Sequence, residues 1–180
     1  MNFEKCFIEG IIICKPNIIN DERGFFSETY RKDLLKNISN KEIEFCQTNT
    51  SESIFGTIRG LHFQKPPNSQ SKLISVVRGE ILDVVVDLRK NSKTFGKVFS
   101  IILNSKNNFQ IFIPRGFAHG FSVLSKNARI IYHVDEYYNK ESESGIYPLD
   151  NKLSIDWRLK KSEIILSDKD VLLPKFDKYE

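Results

Sequence analysis

From Leu73 onward, apolar and polar positions alternate in short runs interrupted by turn residues. Leu73 to Val77 reaches the turn Arg78-Gly79-Glu80, and Ile81 to Leu88 follows. In that second run Leu82, Val84 and Val86 share one face, while Asp83, Val85 and Asp87 share the other. Lys97 to Leu103, Phe109 to Ile113, Gly120 to Leu124 and Ala128 to Val134 continue the series. Asn104 to Asn108 and Pro114-Arg115-Gly116 separate the first three of them. Short strands at such regular spacing predict an all-β barrel or sandwich. Helical periodicity is confined to Tyr30 to Ile38 and Ser167 to Leu173. The more polar tail after Trp157 is expected to wrap over the barrel.

With 180 residues, no internal repeat and no low-complexity linker, the chain reads as one domain, 1–180, able to bury a sizeable core. Fourteen phenylalanines suit a β-rich interior. The net charge of +4 is mild, and lysines alternate with acidic residues, which argues against nucleic acid as a partner. Cys6, Cys14 and Cys46 have no C-x-x-C spacing and read as three buried, reduced thiols. The start carries Glu4 and Glu9 rather than a basic segment and an apolar run, and no stretch has membrane-spanning length. A cytoplasmic protein without membrane contact is expected.

Candidate chemistry gathers around two of three histidines. His62 lies in Arg59-Gly60-Leu61-His62-Phe63-Gln64, and His119 in Pro114-Arg115-Gly116-Phe117-Ala118-His119-Gly120-Phe121. A histidine in a strand is commonly just packed or at the surface. Here the framing glycines and aromatics, with Arg59 and Lys72 nearby, favour an imidazole in a barrel mouth.

Ten segments, in order, resemble the dTDP-4-dehydrorhamnose 3,5-epimerase family over nearly the whole chain. They are Asp21-Glu22-Arg23-Gly24-Phe25-Phe26, the His62 segment, Gln70-Ser71-Lys72-Leu73, Arg78-Gly79-Glu80, Asp83 to Arg89 and Thr94-Phe95-Gly96. Ile113 to Phe121, Asp135-Glu136-Tyr137-Tyr138, Ile155-Asp156-Trp157 and Leu166-Ser167-Asp168-Lys169-Asp170 complete them. The resemblance implies a cupin-type double-stranded β-helix, a jelly-roll barrel with a few short peripheral helices, working without metal or redox cofactor.

It also implies roles. Inverting a carbon beside a C4 ketone needs a base, a stabiliser for the enolate, and an acid on the opposite face. His62 matches the base, since imidazoles titrate near neutrality, and Asp170 matches the carboxylate that orients it. Lys72 matches the cation beside the enolate oxygen, and Tyr132 the acid. His119 matches a second site histidine, assigned to carbonyl polarisation, with Asp83 as its partner. Arg59 and Arg23 match diphosphate or nucleotide contacts; Glu28, Gln47 and Asn49 match nucleotide-proximal positions, and Tyr138 an aromatic stacked on thymine. The bland reading of Arg23 and Glu28 is a surface ion pair. The family forms homodimers with crossing N-terminal strands, so Arg23 and Glu28 are expected to complete the partner's site.

Ser71, Thr48, Thr50 and His133 depart from the family pattern and are expected near base and sugar contacts. Inversion at C3 alone, or another nucleotide-linked 4-keto sugar, is the nearest alternative. A metal-dependent cupin would need clustered ligands and finds no His-x-His. A non-catalytic sugar-binding barrel would not need Lys72, Tyr132 and Asp170 beside His62.

Overall fold

A computed structural model describes residues 1–39 and 42–179. Strands β1 (Asn2–Lys5), β2 (Ile12–Lys15), β3 (Ile18–Asp21) and β4 (Gly24–Ser27) precede helix α1 (Lys32–Ser39). Then come β5 (Gln47–Ile54), β6 (Ile58–Gln64), β7 (Lys72–Arg78), β8 (Glu80–Asp87) and β9 (Val98–Asn104). β10 (Gln110–Ile113), β11 (Phe117–Val123), β12 (Asn127–Val134), β13 (Glu143–Gly145) and the short helix α2 (Asp168–Val171) follow. One antiparallel sheet runs β1-β2-β10-β7-β12-β5, a second runs β13-β6-β11-β8-β9, and β3-β4 form a separate hairpin.

The two large sheets face each other as a jelly-roll barrel, the architecture the resemblance implied. Between them lie Ile74 and Val76 of β7, Ile111 of β10 and Ile130 of β12, packed against Ile81 and Val85 of β8 and Phe121 of β11. Each such side chain contributes roughly 1.5–3 kcal/mol by leaving water. The outer face of the second sheet is also covered. Leu82, Val84 and Val86 of β8 pack there against Ile146, Leu153, Trp157 and Phe176. The tail after Trp157 therefore lies on the barrel, and β8 is buried on both faces, which is what its run of valines accommodates. Helix α1 lays Leu35 over Ile12, Cys14, Leu73 and Phe112 on the outer face of the first sheet.

Several expectations shift. The strand expected from Gly120 begins at Phe117, because Gly116 takes a positive φ of 91° and absorbs the turn alone. Helix α1 starts at Lys32 instead of Tyr30, whose ring packs on Phe45 and His133. In the second helix Ser167 stands outside as the N-cap, its Oγ accepting the Asp170 N–H. Only Cys14 is buried. Cys6 is half-buried and Cys46 exposed, because Cys46 lies just before β5 and not within a core strand. No helix among the described residues is long and apolar enough to cross a membrane.

Candidate active site

Pairing of β6 with β11 sets His119 opposite His62. The strands approach closely through two glycines. A Cβ on Gly60, whose φ is +123°, would stand 2.6 Å from Gly120 Cα and 2.7 Å from the His119 carbonyl oxygen. Only glycine fits there. The ladder shifts register between His119 and Phe121, and both imidazoles line the barrel interior.

Each imidazole meets a buried carboxylate. His62 Nε2 lies 2.5 Å from Asp170 Oδ1. Burial by itself would raise the Asp170 carboxyl, but hydrogen bonding with His62, Ser167 and the Gly60 backbone outweighs it and holds the group below the ordinary carboxylate value. An ionised Asp170 accepts from Nε2, so the neutral ring carries its basic lone pair on Nδ1. His119 Nε2 lies 2.8 Å from Asp83 Oδ2, with Asp83 wholly enclosed.

Lys72 opens β7, and its remaining exposed surface faces the cavity. Burial pushes its ammonium down to about 8, opposed by the charges of Asp83 and Glu143. On the neighbouring strand β12, burial raises the Tyr132 phenol, opposed by Arg59. Arg59 Nε donates to Ser53 Oγ at 2.9 Å.

His62, Lys72 and Tyr132 line two joined compartments. The outer one, about 340 Å³, adds Gln47, Asn49, Tyr138 and Glu143. The inner one, about 150 Å³, adds Ser51, Arg59, His119, Phe121 and Ile130. At the rim Tyr138 Oη donates to Glu143 Oε2 at 2.9 Å, and Lys169 Nζ pairs with Glu143 Oε1 at 2.6 Å. Gln47 Nε2 donates to Asn49 Oδ1 at 2.8 Å, and the Tyr138 N–H donates to Gln47 Oε1 at 3.2 Å. Glu143 and Lys169 were not among the sequence candidates. Glu143 sits in a polar run that reads as surface, whereas Lys169 lay inside the matched segment ending at Asp170.

Two candidates are not brought to this cavity by their own chain. Arg23 lies exposed at the β3-β4 turn and pairs with Asp21 at 2.6 Å, and Glu28 lies 4.0 Å from Arg31. Thr48 and His133 sit away from the cavity lining. Thr48 Oγ1 lies 2.9 Å from His133 Nδ1, and that ring packs on Tyr30 and Phe45. Thr50 likewise spends its hydroxyl on the Ile130 carbonyl. These departures fall on the other face of β5 and β12, because strand side chains alternate. Ser71 is buried beside the site, and among the described residues its Oγ finds no partner.

A jelly-roll barrel that lines one cavity with a carboxylate-held imidazole, a half-buried ammonium and a phenol carries the groups that an enzyme of proton transfer at carbon needs. The sequence profile matching residues 5–178 is that of dTDP-4-dehydrorhamnose 3,5-epimerase, and the chain belongs to that family. The dTDP-4-dehydrorhamnose 3,5-epimerase of Shigella flexneri is 42% identical over 176 residues, covering 98% of this chain and 96% of its own. The crystal structure of the enzyme of that name from Elizabethkingia anophelis NUHP1 superposes with a TM-score of 0.96 at 43% identity, covering 100% and 99% of the two chains. That of a dTDP-6-deoxy-D-glucose-3,5-epimerase from Legionella pneumophila Philadelphia 1, in complex with dTDP-4-keto-L-rhamnose, gives 0.94 at 41% identity, covering 99% and 94%.

Proposed function

We propose that this chain epimerises a dTDP-linked 4-keto-6-deoxyhexose at C3 and C5, converting dTDP-4-dehydro-6-deoxy-D-glucose to dTDP-4-dehydro-L-rhamnose. One observation carries the reading: the His62–Asp170 pair, Lys72 and Tyr132 open onto a single cavity. His62, oriented by Asp170, takes the proton from the carbon beside the C4 ketone. The electron pair moves onto the carbonyl oxygen, where the Lys72 ammonium stabilises the enolate and His119 polarises the same bond. Tyr132 gives a proton back on the opposite face. His62 and the phenolate then return to their starting states by exchange with water, and the second carbon follows the same course.

Arg59 suits the diphosphate through its forked guanidinium. Gln47 and Asn49 lie toward the nucleoside, with Tyr138 stacking on the base. Arg23 and Glu28 complete the site of a second copy. The β3-β4 hairpin that carries Arg23 supports this, because Ile19, Phe25 and Phe26 are exposed on it and its ladder joins neither large sheet. Such a hairpin seeks a partner. The free thiols accord with a reducing compartment, and we place the protein in the cytoplasm.

Incubation with the substrate in heavy water, followed by NMR, tests the reaction. Deuterium at both C3 and C5 is expected. Label at C3 alone would make the enzyme a single epimerase, and no label at either carbon would overturn the assignment. Light scattering should give twice the mass of one chain; a monomer would remove Arg23 and Glu28 from the site.

A further inference from the structure

Lys72 poses a problem of charge. Its half-buried side chain opens onto the cavity inside the barrel, and among the described residues no hydrogen-bond acceptor or carboxylate lies within bonding distance of its ammonium. A cation taken out of water needs a counter-charge to keep both its proton and its place. The charged and titratable groups that share its two compartments are His62 and Arg59 from β6, His119 from β11, Tyr132 from β12, Tyr138 from the segment between β12 and β13, and Glu143 from β13. Glu143 is the one anion among them, and both its oxygens are engaged, by Tyr138 and by Lys169.

Behind this lining stands Asp83 of β8. It is wholly enclosed, pairs Oδ2 as acceptor with His119 Nε2, and among the described residues leaves Oδ1 with no partner. A buried carboxylate oxygen without a donor is uncommon and calls for a reason. The imidazole that Asp83 holds lines the same inner compartment as Lys72, and Asp83 is the strongest of the charges that favour a protonated Lys72, ahead of Glu143.

We propose that Asp83 is a positioning residue for two groups at once: Oδ2 orients His119, and Oδ1 is the counter-charge that holds the Lys72 ammonium in the cavity. One carboxylate thereby sets both side chains that meet the substrate carbonyl. This rests on the epimerase reading, and its test separates the two.

The experiment is the pH profile of kcat/KM for deuterium incorporation by Asp83→Asn, Asp83→Glu and His119→Asn beside the parent chain. In Asp83→Asn the alkaline limb should move down by about one pH unit, the scale of a nearby opposite charge. Binding of dTDP should change less than threefold. Asp83→Glu keeps the charge and should return the limb toward the parent position, and it reads the proposal even if Asp83→Asn does not fold. His119→Asn should slow turnover yet leave the limb in place, because Oδ1 still serves Lys72. An unmoved limb in Asp83→Asn, or an equal displacement in His119→Asn, would overturn the proposal, the latter by showing that Asp83 acts only through the imidazole. A parent chain that incorporates no deuterium would instead sink the epimerase reading.

Discussion

Strand β8 holds two fully buried aspartates on the same face, Asp83 in its middle and Asp87 at its end. Asp87 is saturated with donors. Arg89 Nε and Nη2 reach it at 2.8 and 2.7 Å, and Ser92 and Thr94 hydroxyls each donate at 2.7 Å. Burial would raise its carboxyl, but these donors bring it down to about 2. Asp83, by contrast, has one imidazole and a free oxygen. A carboxylate with every lone pair answered holds a turn together, whereas one left partly unanswered is available to a neighbouring charge. The same side chain thus anchors a turn at the strand's end, whereas the role proposed for it at mid-strand is in the site, and the difference lies in the number of donors its neighbours supply.

The largest expected effect lies on the site side. Asp170→Asn exchanges the acceptor that fixes the His62 tautomer for an amide that can hold the ring the other way round. Turnover should fall by about 10²–10⁴-fold, the usual worth of a positioned general base. The affinity for dTDP, measured calorimetrically, should stay within a few-fold. A variant that turns over within tenfold of the parent would remove the His62–Asp170 pair from the chemistry.

Asp87→Asn should do the reverse. Removing the charge strands Arg89, whose guanidinium also lies over the Phe117 ring. Breaking a fully buried pair costs roughly 3–5 kcal/mol, and with Arg89 partly in solvent the loss here should fall below that range. The denaturation midpoint should drop accordingly, while kcat per folded molecule is retained. The direction with pH follows. The folded-state value of about 2 lies below that of an unfolded aspartate. This stabilisation is therefore complete above about pH 4 and lost as pH falls toward 2. Acid unfolding of Asp87→Asn should depend less on pH in that window than that of the parent chain, and parallel curves would contradict the contrast drawn along β8.

Legibility in the sequence followed the same divide. β7, β8 and β12 alternate or run apolar because they line the inter-sheet core, and their spacing marks them. β5 was invisible to that reading. Its inward positions are Gln47, Asn49, Ser51 and Ser53, so a strand that lines a polar cavity shows no hydrophobic period. The hairpin β3-β4 was equally hidden, since it has no core to face within its own chain. The pairing of His62 with Asp170 spans 108 residues and came only from family resemblance. Glu143 was missed because its environment is made by folding: the strand edge of β13 turns an ordinary polar run toward the cavity.

A smaller effect concerns Lys72. With the ammonium brought down to about 8, activity should decline as pH rises through that value, because the enolate loses its cation. The Tyr132 phenol, raised above its ordinary value by burial, stays protonated through the same range and adds no second limb there. A kcat/KM profile flat from pH 7 to beyond 9 would mean that the charge on Lys72 is not used.

The smallest expected change is at the rim. Tyr138 is more than half exposed, and its hydroxyl donates to Glu143, which Lys169 also engages. Tyr138→Phe removes one exposed hydrogen bond, worth about 0.5–1.5 kcal/mol, and keeps the ring. Stacking on the nucleobase needs the ring, so KM should rise no more than about tenfold and kcat should hold. Tyr138→Ala loses the ring as well and should raise KM further. Equal KM values for the two variants would place the contribution of Tyr138 in its hydroxyl and its hold on Glu143, and would take the nucleobase off that ring.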